Sequence, residues 1–444
     1  MTSLSGKSVI VLGLGRSGRA AVHLLRSQGA LVTATDQLRI DQLAPEVNEL
    51  DAVLVTGGHD GVDFAAADLV VVSPGVAPLP ILADAERDGV EVIGELELAS
   101  RYLSCPVVAV GGTNGKSTVT TLLATMLKEA GRRVFAGGNL GIPLSSAVGG
   151  SWDVAVVEVS SFQLERAPTF HPTVSILLNV TADHLDRYRC FEHYLATKGN
   201  AFARQRAGDV AIVPVGDSAC LAQARRGQGK IVTFGIDGEF ALVDDAIVEN
   251  VSGERISLSG SRLHGRHNAS NAAAAVAAAR ALGVAWEHIQ ASLIRFQPLA
   301  HRMTLVAEHE GIRYYDDSKG TNVGAAVTAL LGIRENRAVL ILGGRDKLGS
   351  YQPLAEALRS KGRAAVLIGE AADAIAQALE NVVAFERASS MTEAVRRAQA
   401  LAMPGDAIIL SPACSSFDMF SGYAERGERF VQAVRSLTAA SGGD

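Results

Sequence analysis

The stretch whose residue types and spacing are most specific for chemistry is Gly112-Thr113-Asn114-Gly115-Lys116-Ser117-Thr118. Glycines that let backbone N–H groups face an anion, a lysine for the outer phosphates and a hydroxyl for Mg²⁺ together make a phosphate cradle. The general nucleotide-binding pattern places glycine five residues before Gly115, where this chain has Val110, so the loop is a shorter variant. As a plain structural turn the run would leave its lysine incidental. Its flanks argue for the cradle: Val107 to Val110 reads as a buried strand, and Val119 to Ala130 reads as a helix stopped by Gly131.

Two other positions could complete such a site. Glu158 ends the apolar run that begins at Val154, and a carboxylate on a strand tip is the usual second holder of a metal in nucleotide folds. The alternative is a solvated strand end. His184 follows the apolar run Val174 to Leu178 beside Asp183 and Asp186; a lone histidine is more often structural, but a strand-end position favours a ligand role. Lys198 falls on an expected helix, where a lysine ordinarily faces solvent.

Two more glycine turns follow strands. Val9 to Leu12 leads into Gly13-x-Gly15-x-x-Gly18, and Asp36 ends the next strand, which together spell a dinucleotide fingerprint. Such a turn recognises a pyrophosphate on a helix N-terminus without saying which nucleotide carries it. Ala338 to Leu342 leads into Gly343-Gly344-Arg345-Asp346-Lys347. The three turns share a solution to anion binding and are not a sequence repeat.

The elements that position these residues need room. At 444 residues, the chain exceeds one ordinary domain, and about 100 to 200 residues per domain predicts two to four, of which three is our reading. A hydrophobic content of 48% with 45 glycines suits an α/β protein of buried parallel strands and tight turns. Net charge is −6, so no global basic field recruits nucleic acid or an acidic membrane surface. Four cysteines, Cys105, Cys190, Cys220 and Cys414, form no C-x-x-C pair, and a reducing cytoplasm is expected. Cys414 reads as a small buried residue rather than a nucleophile. The apolar runs Val9 to Leu12 and Ala272 to Ala279 are far short of the ~20 residues of a membrane span, and the first reads as a strand rather than a signal peptide.

Boundaries are expected near Gly94 and in the hinge Phe296-Gln-Pro298-Leu-Ala-His301-Arg302. The predicted fold is α/β in three domains: a Rossmann-like domain at 1–94, a central ATPase-type domain at 95–298 and a Rossmann-like C-terminal domain at 299–444. Short strands between Asp209 and Leu263 read as an antiparallel appendage of the central domain. Asn268 and Asn271, at the start of an alanine-rich helix, are placed either to hold a nucleobase edge or to act as caps.

Taken together, these blocks resemble the Mur ligase family, related to the folylpolyglutamate synthetases. The resemblance spans the chain through Gly13 to Gly18, Gly112 to Thr118, Gly137-Gly-Asn139-Leu-Gly141, Glu158-Val-Ser-Ser-Phe-Gln163, Asn179-Val-Thr-Ala-Asp-His184, Asp317-Ser-Lys-Gly-Thr321 and Ser411-Pro-Ala-Cys-Ser-Ser-Phe-Asp418. The last block, followed by Tyr423-Ala-Glu-Arg-Gly427, favours the D-glutamate-adding branch. The Asp-Asn-Pro-Arg motif that selects diaminopimelate in another branch is missing.

What the resemblance implies is ATP-driven amide ligation of D-glutamate to UDP-N-acetylmuramoyl-L-alanine through an acyl phosphate, by a cytoplasmic monomer without membrane or nucleic-acid partners. Gly112 to Thr118 would bind ATP with Lys116 as the catalytic cation; Asn268, Asn271, Arg302 and Asp317 would position the nucleotide. Two Mg²⁺ sites, open to Mn²⁺, would use Ser117 and Glu158 for one ion and His184 and Lys198 for the other. An ammonium cannot ligate a cation, so Lys198 is expected to be carbamylated, as in the family. Leu14, Gly15, Arg16, Ser17, Asp36, Gln37, Gly75, Asn139, Ser160 and Gln163 would hold the UDP-substrate. Lys347, Thr321, Ser416 and Phe417, with Lys319 and Tyr423 nearby, would hold D-glutamate. Tyr423 stands where the family leads one to expect phenylalanine, and Gly320 where it leads one to expect alanine. Sites drawn from separate domains predict hinge closure near Pro298.

Two rival classes leave residues over. An NAD-dependent dehydrogenase accounts for residues 1–93 but not Lys116, and would show heat protection by NAD rather than by UDP-sugars. A phosphate-loop binding or motor protein accounts for Lys116 but not the first domain, and would hydrolyse ATP without an amino acid. Within the family, another Mur or folylpolyglutamate-type ligase is separated by a panel of L- and D-amino acids.

Overall fold

A computed structural model of the chain describes residues 3–440 apart from 186, 264 and 348. Asp186, which frames His184 in the sequence, lies outside the described residues. The chain folds into two compact units, the first made of residues up to Val180 with Leu195–Ser261 and Ser270–Phe296, the second of Thr181–Tyr194, Arg262–Ala269 and the residues from Gln297 onward.

The first unit holds two sheets. One runs Val53–Thr56, Leu31–Asp36, Ser8–Leu12, Leu69–Val72, Glu91–Gly94, with every neighbouring pair parallel. Strand order reverses at Ser8–Leu12, so a crevice forms at its carboxyl end, the place where open α/β sheets bind ligands. The helix Arg16–Ser27 rests directly on the turn before it: a Cβ on Gly18 would lie 1.8 Å from the Gly13 carbonyl oxygen.

The second sheet has nine strands, and Val107–Gly111 lies between Val154–Glu158 and Val174–Leu177, parallel to both. All five of its residues are buried, as an unbroken β-branched run covered on both faces must be. The helix Lys116–Glu129 buries Val119, Leu122, Leu123, Met126 and Leu127. The antiparallel appendage is smaller than the pattern suggests. Val210–Pro214, Lys230–Gly235 and Phe240–Val243 continue the parallel sheet beside Val174–Leu177, and among the described residues of this sheet antiparallel pairing is confined to Phe240–Val243 with Ala246–Glu249 and Ala246–Glu249 with Arg255–Ser257. The reason is the short helix Ser218–Ala224, capped by the Asp217 carboxylate accepting from Cys220 N (2.9 Å), which supplies the crossover that parallel pairing needs.

The second unit is built on the sheet Thr304–His309, Ile312–Asp316, Ala407–Leu410, Ala338–Gly343, Gly362–Ile368, Ala384–Arg387. Among the described strands of this sheet, the opening hairpin alone is antiparallel. Leu340, Leu342, Ile409 and Leu367 pack one face against the helix Gln352–Lys361, while Val339, Ile341, Ile408 and Val366 pack the other against Phe430 and Val434 of the helix Tyr423–Ala440. Among the described residues no helix is long and apolar enough to cross a membrane.

Candidate active site

The phosphate loop leaves its strand with Gly112 at φ +141° and enters its helix with Gly115 at φ +88°, both in the region that favours glycine. A Cβ on Gly115 would come within 2.3 Å of the Asn271 amide oxygen, so Asn271 packs against the loop. Lys116 opens the helix, and its Nζ donates to the Thr113 carbonyl (2.8 Å). Asn179, a residue the sequence reading quoted without giving it a role, fastens the same loop: Asn114 N donates to its Oδ1 (2.9 Å), its Nδ2 donates to Asn114 O (3.1 Å), and Thr113 N donates to its backbone oxygen (3.0 Å).

Lys198 is not a solvent lysine. It is 4% exposed at the end of the helix Phe191–Lys198, and its Nζ donates to the Gly112 carbonyl (2.9 Å). Ser117 is buried in the first turn of the loop helix. Glu158 is buried too, in register with Val110 at the carboxyl end of the sheet. Its Oε1 accepts from Asn139 Nδ2 (2.7 Å), and its carbonyl accepts from Asn139 N (2.9 Å). A serine hydroxyl and one carboxylate fit Mg²⁺, which keeps waters and phosphate oxygens in its shell rather than an all-protein cage. Among the described residues no group of three or more His, Cys, Asp or Glu is placed to hold a metal.

A cleft of ≈ 760 Å³ opens at the switch point of the first sheet. Gly15, Arg16, Ser17, Asp36, Gln37, Gly75, Asn139 and Gln163 line it, together with His59 and Ser73, which the sequence reading did not single out. Leu14 is 1% exposed and belongs to the core; what it gives the turn is its N–H, donated to Asp36 Oδ2 (2.6 Å). Asp36 Oδ1 accepts from Leu38 N (2.9 Å), so this carboxylate shapes the turn. Asp36→Asn, able to accept at only one atom, is expected to leave one of those N–H groups without its acceptor. If the cleft holds the nucleotide-sugar that the resemblance implies, steady-state kinetics should show the KM for that substrate raised about tenfold and the KM for ATP unchanged. Ser160 and Gln163 form a capping box at the helix Ser161–Leu164: Ser160 N donates to Gln163 Oε1 (2.9 Å) and Gln163 N to Ser160 Oγ (3.2 Å).

In the second unit, His184 has φ +57°, and the Asp183 carboxylate accepts from its N–H (3.0 Å). The same carboxylate accepts from Lys347 Nζ (3.1 Å) and Asn322 Nδ2 (3.3 Å), so Asp183, Lys347 and Asn322 form one cluster. A small cavity touches His184, Asp183, Asn322, Lys347 and Tyr351. Asp317 is buried; its carboxylate accepts from Ser411 Oγ (2.6 Å) and Met303 N (3.3 Å), and burial pushes its pKa up to about 7. Arg302 and Asn268 are half-buried, Asn268 in the first turn of Arg266–Ala281. Ser416 is buried, Thr321 half-buried and Phe417 67% exposed. Cys414 is 1% exposed, and burial pushes its thiol up to about 11, so it stays protonated and packs.

The chain matches three family descriptions in succession: "Mur ligase MurD-like, N-terminal domain" over residues 7–94, "Mur ligase middle domain" over 110–279 and "Mur ligase, glutamate ligase domain" over 301–414. It is 46% identical over 446 residues to the UDP-N-acetylmuramoylalanine–D-glutamate ligase of Desulfosudis oleivorans, covering 97% of this chain and 96% of that protein. The chain belongs to the Mur ligase family. A second relative with the same name, from Trichlorobacter lovleyi, is 43% identical over 98% of this chain and 100% of its own length. Among solved structures, the Mur ligase fold here resembles UDP-N-acetylmuramate–alanine ligase of Thermotoga maritima, with a TM-score of 0.62 at 19% identity, covering 97% of this chain and 100% of that one. It also resembles the MurF ligase of the same organism in complex with ADP, with a TM-score of 0.61 at 17% identity over 99% and 96% of the two chains. As a Mur ligase, the protein is an ATP-dependent amide-forming enzyme.

Proposed function

We propose that this Mur ligase joins the amine of D-glutamate to the alanyl carboxylate of UDP-N-acetylmuramoyl-L-alanine, with ATP converted to ADP and phosphate, in peptidoglycan precursor synthesis. One observation carries the reading beyond the family name. Asn139 lines the large cleft of the first sheet and holds Glu158, whose strand runs in register beside the phosphate-loop strand. A substrate held in that cleft would then have its reacting end toward the phosphate loop.

The chemistry follows from what must be neutralised. A carboxylate oxygen of the substrate attacks the γ-phosphorus, ADP leaves, and an acyl phosphate forms. The amino-acid nitrogen then attacks the carbonyl carbon and expels phosphate. Charge builds on phosphoryl oxygens in the first step, and Lys116 with the N–H groups at the start of its helix meets that charge. Ser117 and Glu158 would hold Mg²⁺, which shields the phosphates and polarises the transferred group. Lys347, Thr321 and Ser416 would bind the amino acid.

Phosphate release measured with ATP, UDP-N-acetylmuramoyl-L-alanine and D-glutamate, omitting each in turn, tests this. Release should require all three, and hydroxylamine should divert the activated carboxylate to a hydroxamate. Turnover that ignores D-glutamate, or prefers another amino acid, would remove the substrate assignment.

A further inference from the structure

The helix Tyr423–Ala440 begins beside the two loops that carry the residues proposed for the amino acid, and its first turn is tied to both. Ser318 Oγ donates to the Tyr423 carbonyl (2.8 Å). Arg426, 0% exposed, donates from Nε to Ser318 Oγ (3.0 Å), from one terminal nitrogen to the Ser318 carbonyl (2.8 Å), and from the other to the carbonyls of Cys414 (3.1 Å) and Ser415 (3.2 Å). A buried guanidinium is costly unless its forked donors are met, and here the described acceptors are all loop groups. At the rim, Lys319 Nζ donates to the Tyr423 hydroxyl (3.1 Å) and sits 4.5 Å from the centre of its ring.

The hydroxyl at position 423 is what this contact depends on. Phenylalanine would keep the ring under the ammonium and lose the hydroxyl that aims it. An ammonium has three donors; one is engaged by Tyr423, and the others can serve a carboxylate without the side chain first giving up its rotamer freedom. We propose that the first turn of this helix is the positioning device of the amino-acid end, with the Tyr423 hydroxyl aiming Lys319 at a substrate carboxylate and Arg426 fixing the loops around it. The proposal rests on the D-glutamate reading above and adds to it how the dicarboxylate is met.

Tyr423→Phe and Arg426→Lys, assayed by phosphate release with each substrate varied in turn and with thermal midpoints measured alongside, test the device. Tyr423 is 36% exposed, so its phenylalanine variant keeps the fold. That variant should raise the KM for D-glutamate about five- to tenfold and leave kcat and the KM values for ATP and the UDP-substrate within about twofold. Arg426→Lys, which cannot reproduce the fork, should give a larger change in the same parameter. An unchanged D-glutamate KM in Tyr423→Phe, or three KM values moving together, overturns the proposal while leaving the substrate assignment intact. Wild-type turnover that does not depend on D-glutamate overturns both.

Discussion

Lys116→Ala should abolish measurable ligation, with kcat down by about 10³-fold and no loss of heat protection by the UDP-substrate. The size follows from where the ammonium sits. It heads a helix entered through a left-handed glycine, in a loop whose peptide groups are clamped by Asn179, so the charge is fixed before a phosphate arrives. Removing a preorganised charge that faces developing phosphoryl charge typically costs about 3–4 kcal/mol of transition-state stabilisation, and each 1.4 kcal/mol is about tenfold. Lys116 is half-buried and donates to the Thr113 carbonyl, so thermal midpoints measured alongside separate lost catalysis from lost stability. The cleft proposed for the UDP-substrate is lined by other residues, so binding there is a built-in control. Amide synthesis by Lys116→Ala within about tenfold of the parent would mean that the phosphate is held elsewhere.

Lys198→Met should be the second most damaging change, lowering kcat about 10²-fold or more if this side chain is carbamylated. Methionine keeps the length and packing of the buried stem and removes the nitrogen. As an ammonium, Lys198 steadies the loop through the Gly112 carbonyl, and losing a charged hydrogen bond of that kind costs about 1.5–3 kcal/mol of local stability. As a carbamate, it would turn a cation under the phosphate loop into an oxygen donor able to meet a divalent ion. Intact-protein mass separates the two: the carbamate adds one carbon dioxide to the parent and nothing to Lys198→Met. Parent activity should also fall in carbon-dioxide-free buffer and return with bicarbonate. A parent of unmodified mass and full activity under those conditions would leave Lys198 a purely structural lysine.

The parts of this protein written locally were legible. Val107 to Val110 followed by glycines, Lys116 and an apolar stripe could hardly be anything but strand, loop and helix, because strand burial, glycine conformations and helical periodicity are near-neighbour properties. Gly13 to Gly18 was legible for the same reason. The region from Asp209 to Leu263 was misjudged because strand direction depends on the connection, and the seven-residue helix Ser218–Ala224 is too short to announce itself by period. Asp36 ends its strand as expected and lines the cleft, and there it also accepts from Leu14 N and Leu38 N. Nothing in the spacing distinguishes a carboxylate that shapes a turn from one that binds a ribose.

The sequence by itself determined the phosphate loop, the two other glycine turns and the α/β class, since each is encoded within a dozen residues whose backbone preferences and burial agree. Only the tertiary structure decided that Asn179 clamps the loop from 65 residues away, that Lys198 is buried beneath Gly112, and that Arg426 ties Ser318 to Cys414 and Ser415. Those contacts join residues distant along the chain. A polar side chain declares its partner only when folding removes water and leaves it one acceptor within reach.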